Sequence, residues 1–140
     1  MIGCLRGTVV EVTEDTVLID VRGIGFEVEV HDRGLRSLPG RNQPITIYTR
    51  LQISDKELTL YGFLAPEEME LFKILTSVSG IGPKVAMAVL GRFEPDEFYR
   101  AIVVQDQKLL TTVPGVGKKI AGRLMFELKD RIPKTPITVG

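Results

Sequence analysis

The chain has 140 residues, 18 basic and 18 acidic side chains, and a hydrophobic share of 44%. That length allows one average domain or two small ones, and zero net charge excludes a polycation held to nucleic acid by bulk charge alone. A single cysteine, Cys4, excludes an internal disulfide and a cysteine-built zinc site, and is expected as a small, half-buried strand residue.

The two halves differ slightly in charge. Residues 1–64 carry 7 basic and 9 acidic side chains, and residues 65–140 carry 11 and 9. No charged-then-apolar leader and no uninterrupted apolar run of about 20 residues is present, so a soluble protein of the reducing cytoplasm is expected.

The first half reads as strands. Val9, Val10 and Val12 form one β-branched run, and Val17 to Val21 a second. Ile24, Phe26, Val28 and Val30 then alternate with Gly25, Glu27 and Glu29, so one face is apolar and the other polar. The only histidine, His31, stands at the end of this run and is expected in a solvated loop. Ile45, Ile47, Thr49, Leu51 and Ile53 repeat the alternation, and Leu58 to Phe63 supplies a fifth segment. Turn residues at Glu14-Asp15, Gly23, Pro39-Gly40 and Ser54 to Glu57 separate the runs. Five short strands in the first 64 residues predict an all-β, five-stranded OB-fold barrel, with an SH3-like barrel as the alternative.

After Phe63 the period changes. Pro66 suits the first position of a helix, Glu67, Glu68 and Glu70 suit its positive end, and Leu71, Phe72, Leu75 and Val78 recur at helical spacing. Pro83, Pro95 and Asp106 mark further helix starts. Ile120, Ala121, Leu124, Met125 and Leu128 make the stripe of a last helix, expected to end at Pro133. Residues 65–132 therefore read as an all-α domain, and 133–140, with two prolines and no periodicity, as a flexible linker.

Within the helical half one segment occurs twice. KILTSVSGIGPKVA (73–86) and KLLTTVPGVGKKIA (108–121) agree at eight of fourteen positions, at an offset of 35. Duplicated units of this kind stack on each other. A Gly-x-Gly turn folds tightly and leaves amides bare where a new helix begins, and those first N–H groups have no partner inside the helix. Such a site suits a phosphate. Ile81 and Val116, between the glycines, are expected to point inward, and Lys84 and Lys119 to add charge one turn on. The candidate DNA-binding residues are Ser79, Gly80, Gly82 and Lys84 in the first copy, and Gly115, Gly117, Lys118, Lys119 and Arg123 in the second. No Gly-Lys-Ser/Thr triplet of the Walker type occurs, and Gly115 to Gly122 has the wrong spacing for a dinucleotide fingerprint. The pattern is that of tandem helix-hairpin-helix motifs, one for each strand of a duplex.

Met1-Ile2-Gly3, Leu5-Arg6-Gly7, Gly23 to Val28, Leu60-Tyr61-Gly62-Phe63 and both hairpins together resemble the RuvA family of Holliday-junction-binding subunits, over the whole length. The resemblance implies a barrel that tetramerises at the centre of an open four-way junction, with an octamer as the larger assembly, and hairpin domains along the arms. It implies recombination and repair as the setting, a RuvB-like hexameric ATPase motor and a RuvC-like resolvase as partners, and no catalytic site or cofactor in the chain itself. It also implies an acidic pin between the fourth and fifth strands, here Asp55 and Glu57 with Lys56 between them, a departure from paired carboxylates. Family members continue into a third, motor-binding domain, which is expected to be absent from a chain that stops at Gly140.

Two other readings remain open. A repair enzyme or nuclease could use the hairpins for grip, and Asp96 and Glu97 near Arg100 are its nearest catalytic candidates. A barrel-type single-strand binder would stack bases on aromatics, of which this chain has 3 Tyr, 6 Phe and no Trp.

Overall fold

The computed structural model describes residues 1–133. It separates into two compact units, Met1–Glu70 and the remainder from Leu71, and the division falls inside one helix.

The first unit is a closed five-stranded barrel in the order β1-β2-β3-β5-β4, with β1 (Cys4–Val12), β2 (Thr16–Val21), β3 (Ile24–Val30), β4 (Pro44–Ile53) and β5 (Leu58–Phe63). Closure depends on β1, which pairs with β4 over Cys4 to Thr8 and with β2 from Thr8 onward, and a register shift between Val9 and Glu11 bends it between the two partners. Gly7 sits at that crossing, where any Cβ would collide with the backbone carbonyl of Asp20. β3 and β5 are parallel and the other neighbours antiparallel. This is the five-stranded OB arrangement. Its core consists of Leu5, Val9, Val17, Ile19, Val28, Val30, Ile45, Ile47 and Leu60.

The alternation foreseen in β3 and β4 holds toward the core and fades at the strand ends. Val28, Val30, Ile45, Ile47 and Thr49 are buried, whereas Ile24, Ile53 and Leu58 are exposed. Thr49 is admitted to the interior because its hydroxyl donates to the Ile2 carbonyl at 2.6 Å. Cys4 is exposed rather than half-buried, because Leu5 takes the inward position and the pleat turns its neighbour outward.

His31 corrects the sequence reading. It is not a solvated loop residue but is 3% exposed, and it caps a five-residue helix, α1 (Asp32–Arg36), that no periodicity announced. Its Nδ1 accepts the Gly34 N–H at 3.0 Å, so the ring proton lies on Nε2, which donates to Glu68 Oε1 at 2.9 Å. Arg33 Nη2 donates to the other Glu68 oxygen at 3.0 Å. Glu68, near the start of α2 (Pro66–Thr76), is thus the acceptor of a buried polar cluster as well as a carboxylate at a helix N-terminus. Burial pushes its carboxyl up. Hydrogen bonds from His31 and Arg33, with the charge of Arg33, outweigh that, and hold it below its ordinary value.

The second unit continues α2 and adds α3 (Pro83–Arg92), α4 (Pro95–Val103), α5 (Gln107–Leu110) and α6 (Lys118–Leu128). The expected starts are found: Pro83 and Pro95 stand in the first turn of their helices, and Asp106 caps α5 by accepting the Leu109 N–H. The last helix ends at Leu128, not Pro133, since its apolar stripe runs out there and Lys129, Asp130 and Arg131 are exposed. The linker reading falls on residues of which 134–140 lie outside those described.

Candidate nucleic-acid interface

The two copies fold alike, bond for bond. Val78 N–H donates to Leu75 O and Ile81 N–H to Val78 O, at 3.1 and 3.0 Å. In the second copy Val113 donates to Leu110 O and Val116 to Val113 O, at 3.2 and 3.0 Å. The hydroxyls of Ser77 and Thr112 each donate to a carbonyl three residues back at 2.6 Å. Gly80 has φ +89° and Gly115 φ +90°, and both helices are then capped by an extended glycine, Gly82 or Gly117. As expected, Ile81 and Val116 point inward, at 5% and 4% exposure.

The glycines of each turn do different work. Gly80 and Gly115 occupy the left-handed region, which side chains other than glycine rarely enter. Gly82 and Gly117 have negative φ, and a Cβ on either would meet nothing within 4 Å. The fold makes no demand for glycine at these two positions. The open space before them lies on the outer surface, at the start of α3 and α6.

The hairpins also grip each other reciprocally. A Cβ on Gly80 would lie 3.6 Å from Ile120 Cδ1 of α6, and one on Gly115 would lie 3.2 Å from Val85 Cγ2 of α3. Val85 and Ile120 are equivalent at the same offset of 35, so each turn packs on the helix that follows the other. Contacts of this form arise from a local twofold axis. The residues paired by the same offset, Leu75 and Leu110, Val78 and Val113, Ala86 and Ala121, and Val89 and Leu124, are all buried.

Ser79, Gly80, Gly82, Lys84, Gly115, Gly117, Lys118, Lys119 and Arg123 are all exposed. The first intrahelical bonds are Ala86 N–H to Gly82 O and Ala121 N–H to Gly117 O. Among the described residues the amides just ahead of them, on Lys84 and Val85 and on Lys118, Lys119 and Ile120, meet no acceptor. Each site therefore offers backbone donors, the positive end of a helix and a lysine, with no acidic residue in the first helical turn. The second is richer, because Lys118 brings an N–H and a charge where Pro83 has neither.

In the barrel unit Asp55 and Glu57 are exposed at the β4–β5 tip, which closes through Ser54 N–H to Glu57 O at 2.9 Å. The tip stands clear of the core, since the last cross-strand pair, Ile53 and Leu58, is 68% and 67% exposed. Tyr61, behind it on β5, has its hydroxyl pushed up by burial and then by the charges of Glu29 and Glu57.

Asp96 and Glu97 do not form a catalytic pair. Glu97 accepts the Glu94 N–H at 2.7 Å in a capping box that starts α4, and Asp96 is exposed in the same turn. Among the described residues no group of three or more His, Cys, Asp or Glu is placed to hold a metal ion, and no helix is long and apolar enough to cross a membrane.

Residues 1–62 match the family described as the RuvA N terminal domain, and residues 72–130 match the SAM-like helix-hairpin-helix tandem. The chain is 52% identical to the Holliday junction branch migration complex subunit RuvA of Syntrophomonas wolfei, over 96% of its own length and 67% of that protein. Identity to the RuvA proteins of Stutzerimonas stutzeri and Symbiobacterium thermophilum is 46% and 44%, over 65% and 68% of their lengths. The chain thus spans about two thirds of the curated relatives it matches. A barrel with the first family's signature, followed by a tandem hairpin unit with the second's, and identity sustained across both, place this chain in the RuvA family of Holliday junction branch migration complex subunits.

Proposed function

We propose that the chain binds four-way DNA junctions by their shape and not their sequence, and serves as a non-catalytic scaffold for an ATP-driven branch-migration motor. The observation that carries this reading is the reciprocal interlock of the two hairpins, which presents two similar sets of bare amides from one compact unit. Gly82 and Gly117 would let a backbone phosphate approach the bare amides closely. Lys84, Lys118 and Lys119 would neutralise phosphates, and Ser79, Gly80 and Gly115 would shape the turns. Contacts to phosphate fix position on a duplex without reading bases.

Asp55 and Glu57 form the acidic pin in this reading. Carboxylates held at an exposed tip would repel phosphates at the crossover and keep the junction open. Residues 1–64 are the junction-centre and self-assembly domain, and residues 65–132 the grip. The working form is a homotetramer, or an octamer, in the bacterial cytoplasm, with a RuvB-like motor and a RuvC-like resolvase as partners. These assignments draw on membership of the RuvA family.

A gel-shift comparison of a four-way junction with linear duplex and single strand tests the proposal. Preference for the junction supports it. Equal binding to duplex and junction would favour a duplex-gripping repair subunit, and preference for single strands a barrel-type single-strand binder.

A further inference from the structure

Arg123 departs from the twofold pattern of the hairpins. It lies on α6, in the second copy, yet its Nη1 donates to the carbonyl of Ser79 in the first, at 3.1 Å. The same nitrogen lies 3.6 Å from where a Cβ on Gly80 would be, so the guanidinium rests against the left-handed turn. Its Nε faces Glu127 Oε2 at 3.9 Å, a solvent-screened approach that contributes little. The residue equivalent to Arg123 in α3 is Ala88, which carries no donor to reach the matching carbonyl of Pro114. The brace therefore exists once.

We propose that Arg123 is a positioning residue, a strut from α6 that fixes the first hairpin against the second, and not itself a phosphate ligand. This rests on the reading of the hairpins as phosphate pockets. The first hairpin is the poorer in donors, having Pro83 where the second has Lys118, and its tip carbonyl precedes the left-handed Gly80. A guanidinium on that carbonyl holds the turn. It also covers an acceptor oxygen that would otherwise face an incoming phosphate. Arg suits the task because its charge is permanent and its planar fork loses little freedom on making the bond.

The test uses Arg123→Met, which keeps the aliphatic stem, beside Lys119→Ala as a ligand control. In the free protein, hydrogen exchange at the Ile81 amide should quicken several-fold in Arg123→Met, while the equivalent Val116 amide is unchanged. Binding to a four-way junction should weaken roughly tenfold, the factor set by one charge-assisted hydrogen bond. The log–log salt slope should change by less than half of the drop of about 0.9 expected for Lys119→Ala. Unchanged exchange at Ile81, or equal acceleration at both amides, would overturn the strut. A slope loss matching Lys119→Ala would make Arg123 a phosphate ligand. If Lys119→Ala itself leaves the slope intact, the phosphate pocket fails, and the exchange comparison alone decides the strut.

Discussion

Gly80 and Gly82 are one residue apart and answer to different constraints. Alanine at 80 must adopt the left-handed region, at a cost of about 1–2 kcal/mol. Gly115→Ala adds a tight contact with Val85 and is expected to be the more destabilising of the two. Alanine at 82 or 117 meets neither strain nor neighbour, so its melting temperature should match the parent's while junction affinity falls. Thermal melts beside gel shifts of the four variants check this division; a lowered Tm in Gly82→Ala would contradict it. Glu68 makes a second prediction at this scale. Its carboxyl titrates below the ordinary 4.5 in the folded protein, so the stabilisation is complete above that pH and is lost as pH falls through the depressed value. Glu68→Gln should cost about 1–3 kcal/mol at neutral pH. The stability curves of variant and parent should converge in acid; parallel curves would show that the fold leaves this carboxyl unperturbed.

At the scale of elements, the duplicated hairpin was legible because its cause is local. A glycine at a left-handed position, an inward aliphatic and a helix start follow one another within three residues, and repetition at an offset of 35 leaves little room for accident. The strands were legible by alternation wherever one face met the core, and failed at Ile24 and Ile53, where a strand outruns the interior it would bury against. The short helix α1 was not legible. Five residues with Gly34 among them carry no helical period, and its cap, His31, depends on Glu68, 37 positions away. The bond from Arg123 to the Ser79 carbonyl was not legible either, because it joins residues 44 positions apart. The lysines give an element-scale prediction. Removing Lys84 or Lys119 should each shallow the salt slope by about 0.9, and should lower affinity alike for every arm sequence. A sequence-dependent loss would place these side chains against bases.

Over the whole molecule, the two units carry opposite kinds of exposed charge. The hairpin unit presents amides and lysines at two helix starts, and the barrel unit presents carboxylates at its β4–β5 tip. Grip alone would not discriminate between a junction and a plain duplex, because both offer paired phosphate backbones. In the proposed function, selectivity comes from repulsion: strands that stay closed bring phosphates toward Asp55 and Glu57, while strands held apart do not. Like-charge juxtaposition against the wrong partner is a common source of specificity, and it costs affinity for the right one. Lys56 between the two carboxylates lowers the net charge of the tip, so both acids are needed for a useful field. Replacing both with Asn leaves the Ser54–Glu57 backbone closure available, since that bond uses the main-chain carbonyl. The double variant should fold as the parent does, bind duplex more tightly, and lose part of its preference for the four-way junction. Competition of labelled junction by unlabelled duplex, run at two salt concentrations, measures this directly. The preference should fall most at low salt, where repulsion between exposed charges reaches furthest. If the double variant binds duplex no better and junction more weakly, these carboxylates support the junction by contact, and the source of selectivity lies elsewhere in the barrel.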